Sequence, residues 1–233
     1  MTSRRILAAP SVTATALSRW RRVLARLARD RAGLSVVEFA LALPFFVSLG
    51  AMGVEVAYMA SVNMQISQLA LSVGDNASRL GQTDNSAVEP TVDESDIDAV
   101  MFGAMKQGAA FDFKQNGRII LSSLEKDSAT GKQYIHWQRC AGDLNRSSSY
   151  GNDSDRNGLT GVSFPNGLGQ PDHLVTAGDD EAVMFVEVYY TYKPLLAGFF
   201  PDQNFEREAA FVVRDDRNLS GGGGDGLTGT PTS

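Results

Sequence analysis

Residues 31–59 read RAGLSVVEFALALPFFVSLGAMGVEVAYM, and positions 39–54 within them carry no charged side chain. As a helix, residues 34–59 would be about 39 Å long at 1.5 Å per residue. The hydrocarbon core of a bilayer is about 30 Å thick. The segment also lacks the polar stripe that a helix on the surface of a soluble domain has. The sequence therefore predicts a transmembrane helix over residues 34–59.

Glu38, near the start of this segment, is its most informative residue. A charge in the middle of a bilayer costs about 2.5 to 3.5 kcal/mol, and the cost is lower near an end. One interpretation is a glutamate that snorkels to the headgroups. The other is a pilin-type processing site. Cleavage after Gly33 would give Leu34 a new α-amino group and make Glu38 the fifth residue of the mature chain.

The sequence GLSVVEFAL at 33–41, followed by Pro44, resembles the start of the TadE/TadF family of pseudopilins, which serve tight-adherence (Flp-type) pili. The resemblance implies cleavage between Gly33 and Leu34 by a membrane prepilin peptidase. It also implies that Glu38 pairs with the mature amino terminus of a neighbouring subunit. Major pilins of this branch usually have Tyr after the Glu, so Phe39 favours a minor, assembly-assisting pseudopilin. Three later segments, GRIILSSLE, YIHWQRCAG and VEVYYTYKPLL, resemble the ectodomains of the same family less specifically.

Charge is distributed unevenly along the 233 residues, whose formal net charge is −6. Residues 1–33 hold eight Arg and one Asp, so the rest of the chain is acidic. The positive-inside rule then predicts a cytoplasmic N-terminus and an exported body. With the family resemblance, this indicates a single-pass protein of a bacterial inner membrane with a periplasmic domain. An acidic body makes nucleic acid an unsuitable partner. A cleavable secretory signal peptide fits poorly, because the apolar run is too long and carries Glu38.

Five regions follow from these patterns: a basic leader (1–33), the transmembrane helix (34–59), its continuation (60–81), a periplasmic domain (82–218) and a flexible Gly-rich tail (219–233). Within the leader, residues 16–31 have apolar and Arg side chains at helical spacing. They are interpreted either as a helix on the cytoplasmic leaflet or as a leader whose charge alone matters.

Small residues recur at every fourth position in Gly53, Ala57 and Ser61. This spacing lets a second helix approach closely, as in packing against another pilin or pseudopilin. The alternative is that Gly and Ala merely fill a lipid-facing helix. Beyond them, apolar residues at spacings of three and four run from Met59 to Leu80, which predicts an amphipathic helix that packs on the domain. Gly81 is the predicted stop.

The domain is predicted to be α+β and pilin-like: a long N-terminal helix, transmembrane and then amphipathic, packed on a small antiparallel sheet. A short helix is expected to begin with Ser95 or Asp96 as its cap. The predicted strands are listed in order: 118–122, 133–138, 182–192 and 208–214. The third contains VMFVEVYYTY, apolar on both faces, and is expected to be central.

For metal chemistry, the best local candidate is Asp153, Asp155 and Asn157 in the sequence DSDRNG, which matches the first half of a calcium loop. Oxygen ligands at alternate positions and a Gly at the turn suit this hard cation. The twelfth position, where a Glu should close the site, is Phe164. The alternative is an ordinary Asn/Asp/Gly turn. No other cofactor is expected.

Catalysis has little support in the sequence. The two imidazoles, His136 and His173, accompany no nucleophile or metal motif and are interpreted as surface or interface residues. The single cysteine, Cys140, is expected to be a small core hydrophobe; an intermolecular disulfide is the alternative.

Three functions remain. The favoured one is a non-enzymatic minor pseudopilin that works with the prepilin peptidase, other pilins and the pilus assembly machinery. The second is an uncleaved, signal-anchored periplasmic binding or adhesion module. The third is an anchored hydrolase.

Overall fold

The computed structural model describes residues 20–26, 33–81, 92–161, 164, 166–214 and 227–228. The chain divides into two compact units, Met1–Val54 and Glu55–Ser233. Helix α1 covers residues 20–26, which supports a helix in that part of the leader; the rest of the leader lies outside the described residues. Helix α2 is Leu34–Ser78 and contains Pro44.

In the first unit, α2 buries none of its described side chains. Apolar side chains between positions 36 and 54 are largely exposed; the largest exposed fraction is 78% at Phe45. This helix is the one described helix that is long and apolar enough to cross a membrane. Such exposure is costly in water, because burying a side chain of this kind is worth about 1.5–3 kcal/mol. This part of α2 is therefore suited to an apolar environment.

In the second unit, α2 ends at Ser78, three residues before the predicted stop, and Gly81 follows at a φ of 79°. Glycine adopts this left-handed conformation without strain, which lets the chain reverse. The remaining helices are α3 (Glu94–Gln107), a 3-10 turn (Gly108–Phe111) and α4 (Phe113–Asn116).

The start of α3 differs from the prediction. Its N-cap is Asp93 rather than Ser95 or Asp96, and the side chains of Asp93 and Asp96 form a capping box with each other's backbone. Asp96 thus occupies the third helical position, where a carboxylate can reach back to the cap residue. The predicted helix is confirmed, and its first turn lies earlier than its apolar residues indicated.

The sheet is antiparallel throughout, as predicted, with strand order β3-β2-β4-β5. Its strands are β2 (Gly117–Lys126), β3 (Gln133–Ala141), β4 (Ala182–Tyr192) and β5 (Gln203–Val212). β4 has the predicted bounds and the predicted internal position. A separate parallel pair joins β1 (Val92–Asp93) to β6 (Leu227–Thr228). The prediction of a flexible tail did not include this pairing; the other tail residues lie outside the description.

Two hydrophobic clusters cover the two faces of the sheet. The larger cluster lies between one face and the helices, and α2 contributes a fully buried stripe to it: Val62, Ile66, Leu69, Ala70, Val73 and Ala77. The smaller cluster lies under the long β3–β4 connection and includes Phe164 and Leu168. The second unit is therefore an α+β domain in which the predicted amphipathic stripe of α2 forms one wall of the core.

Cys140 does not belong to either cluster, which makes the expectation of a core residue wrong. It is a free, exposed cysteine near the end of β3. β3 is an edge strand, and its residues Trp137 and Ala141 pack in the larger cluster. Successive side chains of a strand point to opposite faces, so Cys140 lies on the other face of the sheet.

Candidate functional site

The predicted processing site lies at the start of α2. Gly33 is exposed, and its carbonyl accepts a hydrogen bond of 3.1 Å from the Val37 amide, so the helix begins directly after it. Glu38 is exposed, and no described residue forms a hydrogen bond or ion pair with its carboxylate. Phe39 beside it is 64% exposed. These residues are accessible to other proteins, as processing and pairing require, and the side chain of Leu34 lies outside the description.

The predicted helix-packing residues have different environments. Gly53 is exposed, and a Cβ at this position would meet no atom within 4 Å. In the second unit Ala57 is exposed, whereas Ser61 is half-buried and its hydroxyl accepts a hydrogen bond of 3.2 Å from Gln65. Helix packing at these residues stays a prediction.

A second carboxylate of α2, Glu55, is placed very differently from Glu38. Glu55 is 2% exposed. Its Oε1 accepts hydrogen bonds from the Tyr192 hydroxyl at 2.7 Å and the Leu195 amide at 3.3 Å, and its Oε2 accepts one from the Leu196 amide at 3.0 Å. The carboxylate therefore ties α2 to the end of β4. Sequence analysis missed this role, although Glu55 is the first charge after the uncharged run.

The predicted calcium ligands are mostly engaged by their own loop. Asp153 Oδ2 accepts a hydrogen bond of 2.9 Å from the Gln138 amide, and Asn157 Oδ1 accepts bonds of 2.9 and 3.0 Å from the amides of Leu159 and Thr160. Hydrogen bonds from Asn152, its own backbone and Ser154 lower the pKa of Asp155. The bonds of Asn157 are those of an Asx turn, in which a side-chain oxygen accepts from backbone amides that follow it. Asp153 instead accepts from an amide of β3.

The described residues include no group of three or more His, Cys, Asp or Glu side chains placed to hold a metal ion. Phe164, at the position where a calcium loop needs a Glu, is 7% exposed and belongs to the smaller cluster. Calcium binding stays a prediction. A calcium titration of the melting temperature tests it, and no shift at millimolar calcium removes it.

His136 lies beside a buried carboxylate. Its Nδ1 donates to Glu125 Oε2 at 2.7 Å, and the Ser123 hydroxyl donates to Glu125 Oε1 at 3.0 Å. In a catalytic triad the imidazole lies between the carboxylate and the hydroxyl. Here the carboxylate lies between them, so this group cannot activate Ser123 through His136. Burial and the neighbouring Glu125 charge raise the pKa of Tyr134, which contacts the same carboxylate, to about 12.

His173 is exposed in a turn, as interpreted from the sequence. His136 is not a simple surface residue, because its side chain is only 11% exposed and is bound to Glu125. β2 and β3 carry a bulge between Ser123 and Leu124, opposite which His136 is the extra residue. A bulge redirects a side chain, and a sequence pattern of alternating residues does not reveal it.

A third buried carboxylate, Glu187 in the middle of β4, is 1% exposed. It accepts hydrogen bonds from the Ser148 hydroxyl at 2.5 Å, the Tyr189 hydroxyl at 2.6 Å and the Ser149 amide at 2.9 Å. Burial raises the pKa of Glu187 in spite of these bonds. A lone Glu inside an otherwise apolar strand was the available sequence signal. The three donors bring the long connection down onto the sheet.

Comparison with known proteins adds no relative: no protein-family model, no curated protein and no solved structure matches this chain. What defines it is the combination of an apolar, unburied helix, one accessible carboxylate near its start and an α+β domain built on its continuation.

Proposed function

We propose that the protein is a minor pseudopilin of a tight-adherence (Flp-type) pilus system: a membrane-anchored structural subunit that supports fibre assembly and has no catalytic activity. The anchor is the first part of α2, the N-terminus is cytoplasmic, and the α+β domain is periplasmic. A prepilin peptidase removes the leader after Gly33. The mature amino terminus of one subunit then pairs with Glu38 of a neighbour.

The observation that carries this proposal is the state of Glu38. It is an exposed carboxylate on an apolar helix, without a described partner, five residues after an exposed Gly33. A charge inside a bilayer needs a partner, since several kcal/mol are otherwise lost. A new amino terminus on an adjacent subunit supplies a positive charge at the same depth. By contrast, the buried carboxylates Glu55 and Glu187 of the domain already have hydrogen-bond donors.

The experiment compares the N-terminus of the protein from native membranes with and without the prepilin peptidase, by mass spectrometry. The expected result is a chain beginning at Leu34 only when the peptidase is present. Gly33→Ala should block cleavage, and Ala32→Gly is the matched control, which should be cleaved normally. A chain that keeps its leader in the presence of the peptidase contradicts the proposal and leaves the uncleaved, signal-anchored periplasmic module.

Assembly provides the second readout. Glu38→Ala should allow cleavage and membrane insertion and abolish the support of piliation, because the amino terminus loses its partner. Glu38→Asp keeps the charge and is the control. Piliation that is unchanged in Glu38→Ala would exclude the pairing. Mass analysis of sheared fibres and membranes then shows whether the subunit enters the fibre.

A further inference from the structure

The loop between β4 and β5, residues 193–202 with the sequence KPLLAGFFPD, is here named the hairpin loop. Two of its apolar side chains are far from buried: Phe199 is 86% exposed and Leu195 is 55% exposed. Phe199 has the largest exposed fraction among the large apolar side chains that the structure describes. Apolar surface concentrated in one loop marks a contact with a membrane or another molecule.

The hairpin loop has a defined shape. Gly198 has a φ of 92°, and the Phe199 amide donates to the Leu196 carbonyl at 3.1 Å, which closes a tight turn at the tip. At the base, the Lys193 ammonium forms an ion pair with Asp202. The turn and the ion pair hold the apolar side chains outward from the domain.

Glu55 fixes the position of the loop on the domain. The amides of Leu195 and Leu196 both donate to its carboxylate, and so does the hydroxyl of Tyr192. At the opposite end of the sheet, just after β5, the Arg214 amide donates to the carbonyl of Ser78, the last residue of α2, at 3.4 Å. Glu55 and Ser78 thus mark the two ends of the part of α2 that packs on the sheet. The hairpin loop is therefore held at the end of the domain where the chain continues into the uncharged run 39–54.

We propose that the hairpin loop inserts Leu195 and Phe199 into the outer interface of the bilayer that α2 crosses. This rests on the membrane anchor in the proposed function. Glu55 is the first charge after the uncharged run, so the surface of the hydrocarbon core lies near its level. Because the hairpin loop is hydrogen-bonded to Glu55, it is held near this surface, where lipid is the first apolar environment available to it. Segments that lie in the membrane interface bury Phe and Leu side chains at this depth.

The insertion gives the domain a second attachment. A domain held by one helix can tilt relative to the bilayer surface. Contact of the hairpin loop with lipid limits this tilt. Neighbouring subunits then meet the domain at one angle to the membrane.

The test uses the full chain in liposomes of phosphatidylethanolamine and phosphatidylglycerol. In a Cys140→Ser background, Ala197→Cys places a thiol between the two inserting residues for an environment-sensitive fluorophore. Ala129→Cys, exposed in the β2–β3 turn at the opposite end of the domain, is the matched control. The label at position 197 should show blue-shifted emission that lipids brominated on the acyl chain quench. The label at position 129 should show neither effect.

Adding Leu195→Asp and Phe199→Asp to the Ala197→Cys protein should remove both the shift and the quenching. Flotation of the same liposomes reports separately on the helix anchor. Flotation without lipid quenching at position 197 overturns the loop insertion and leaves the anchor standing. A blue shift without lipid quenching means that a second copy covers the loop, and also overturns it. Loss of flotation overturns both the anchor and the insertion.

Discussion

The two parts of α2 differ in the pattern of their apolar residues and in their surroundings. Residues 36–54 bury no described side chain, whereas residues 62–77 place a full stripe in the core of the domain. The difference lies in the spacing of the apolar residues. A helix that is apolar on every side has no single face for a protein core, and it suits lipid. Apolar residues at spacings of three and four instead lie on one face of a helix, which can form one wall of a core.

The largest expected effect is the difference in unfolding free energy between a substitution in the core of the domain and a substitution in the exposed first part of α2. Ile66→Ala should lower the free energy of unfolding of the domain by about 2–5 kcal/mol, because Ile66 is fully buried and its loss leaves a cavity. Val47→Ala, at a residue that is 61% exposed in the first part, should leave it unchanged. Urea unfolding of the full chain in detergent, followed by Trp137 fluorescence, measures both. Equal losses would remove the distinction.

The two carboxylates of α2 sharpen the comparison. Glu55→Ala leaves the donors of Tyr192, Leu195 and Leu196 without their acceptor. The expected cost is about 1–3 kcal/mol of unfolding free energy. Glu38→Ala, at an exposed carboxylate, should cost nothing by the same urea measurement. If both variants unfold at the parent midpoint, Glu55 does not hold the hairpin loop.

Glycines give a smaller effect. A Cβ at Gly74 would lie 2.6 Å from the Phe211 ring, so this ring must move. Gly74→Ala should cost about 1 kcal/mol, since overpacking slightly outweighs the gain in helix propensity. A Cβ at Gly53 meets no atom within 4 Å, and Gly53→Ala should not change the unfolding of the domain. Thermal melts of both variants compare them, and a stabilised Gly74→Ala would show that Phe211 yields freely.

The smallest expected change in unfolding free energy at any single pH is that of a substitution at Glu187. Burial raises its pKa in the folded state above the unfolded value, so the folded protein holds this proton more tightly. Its contribution to stability is fully present below the unfolded pKa and is lost as pH rises through the folded pKa. Glu187→Gln should flatten this slope.

The urea midpoint between pH 4 and pH 8 measures the slope, with Glu38→Gln as the exposed control. An unchanged slope in Glu187→Gln would assign it to other carboxylates, such as Glu208 on β5, whose charge also raises the pKa of Glu187.

The sequence predicted β4 to the residue because its long apolar run, broken only by Glu187 and Thr191, lies between the acidic residues 179–181 and Lys193 with Pro194. It failed on β5, which extends from Gln203 to Val212 rather than over 208–214. The first half of β5 is charged and exposed at the edge of the sheet, so it carries little hydrophobic signal. β2 continues beyond the predicted Ser122, because its polar residues are buried with partners, such as the Ser123 hydroxyl on Glu125.

The candidate site residues also differ in how far the sequence could suggest them. Gly33 and Glu38 could be predicted as a processing site because the pattern lies within a few neighbouring residues, and this site stays a prediction. The role of Glu55 depends on amides 140 residues away, at Leu195 and Leu196. Local patterns contain no information about such partners. The sequence does show that Glu55 is a carboxylate directly after a long uncharged run.

The outer edge of β3 is occupied by the long connection: the Ile135 amide donates to the Asn157 carbonyl at 2.8 Å and the Gln138 amide to Asp153. Unpaired strand edges recruit other chains and start aggregates. Many copies crowded on one membrane would be prone to this. The self-covered edge leaves no open template along this part of β3, so another copy of the chain could meet this edge only through side chains.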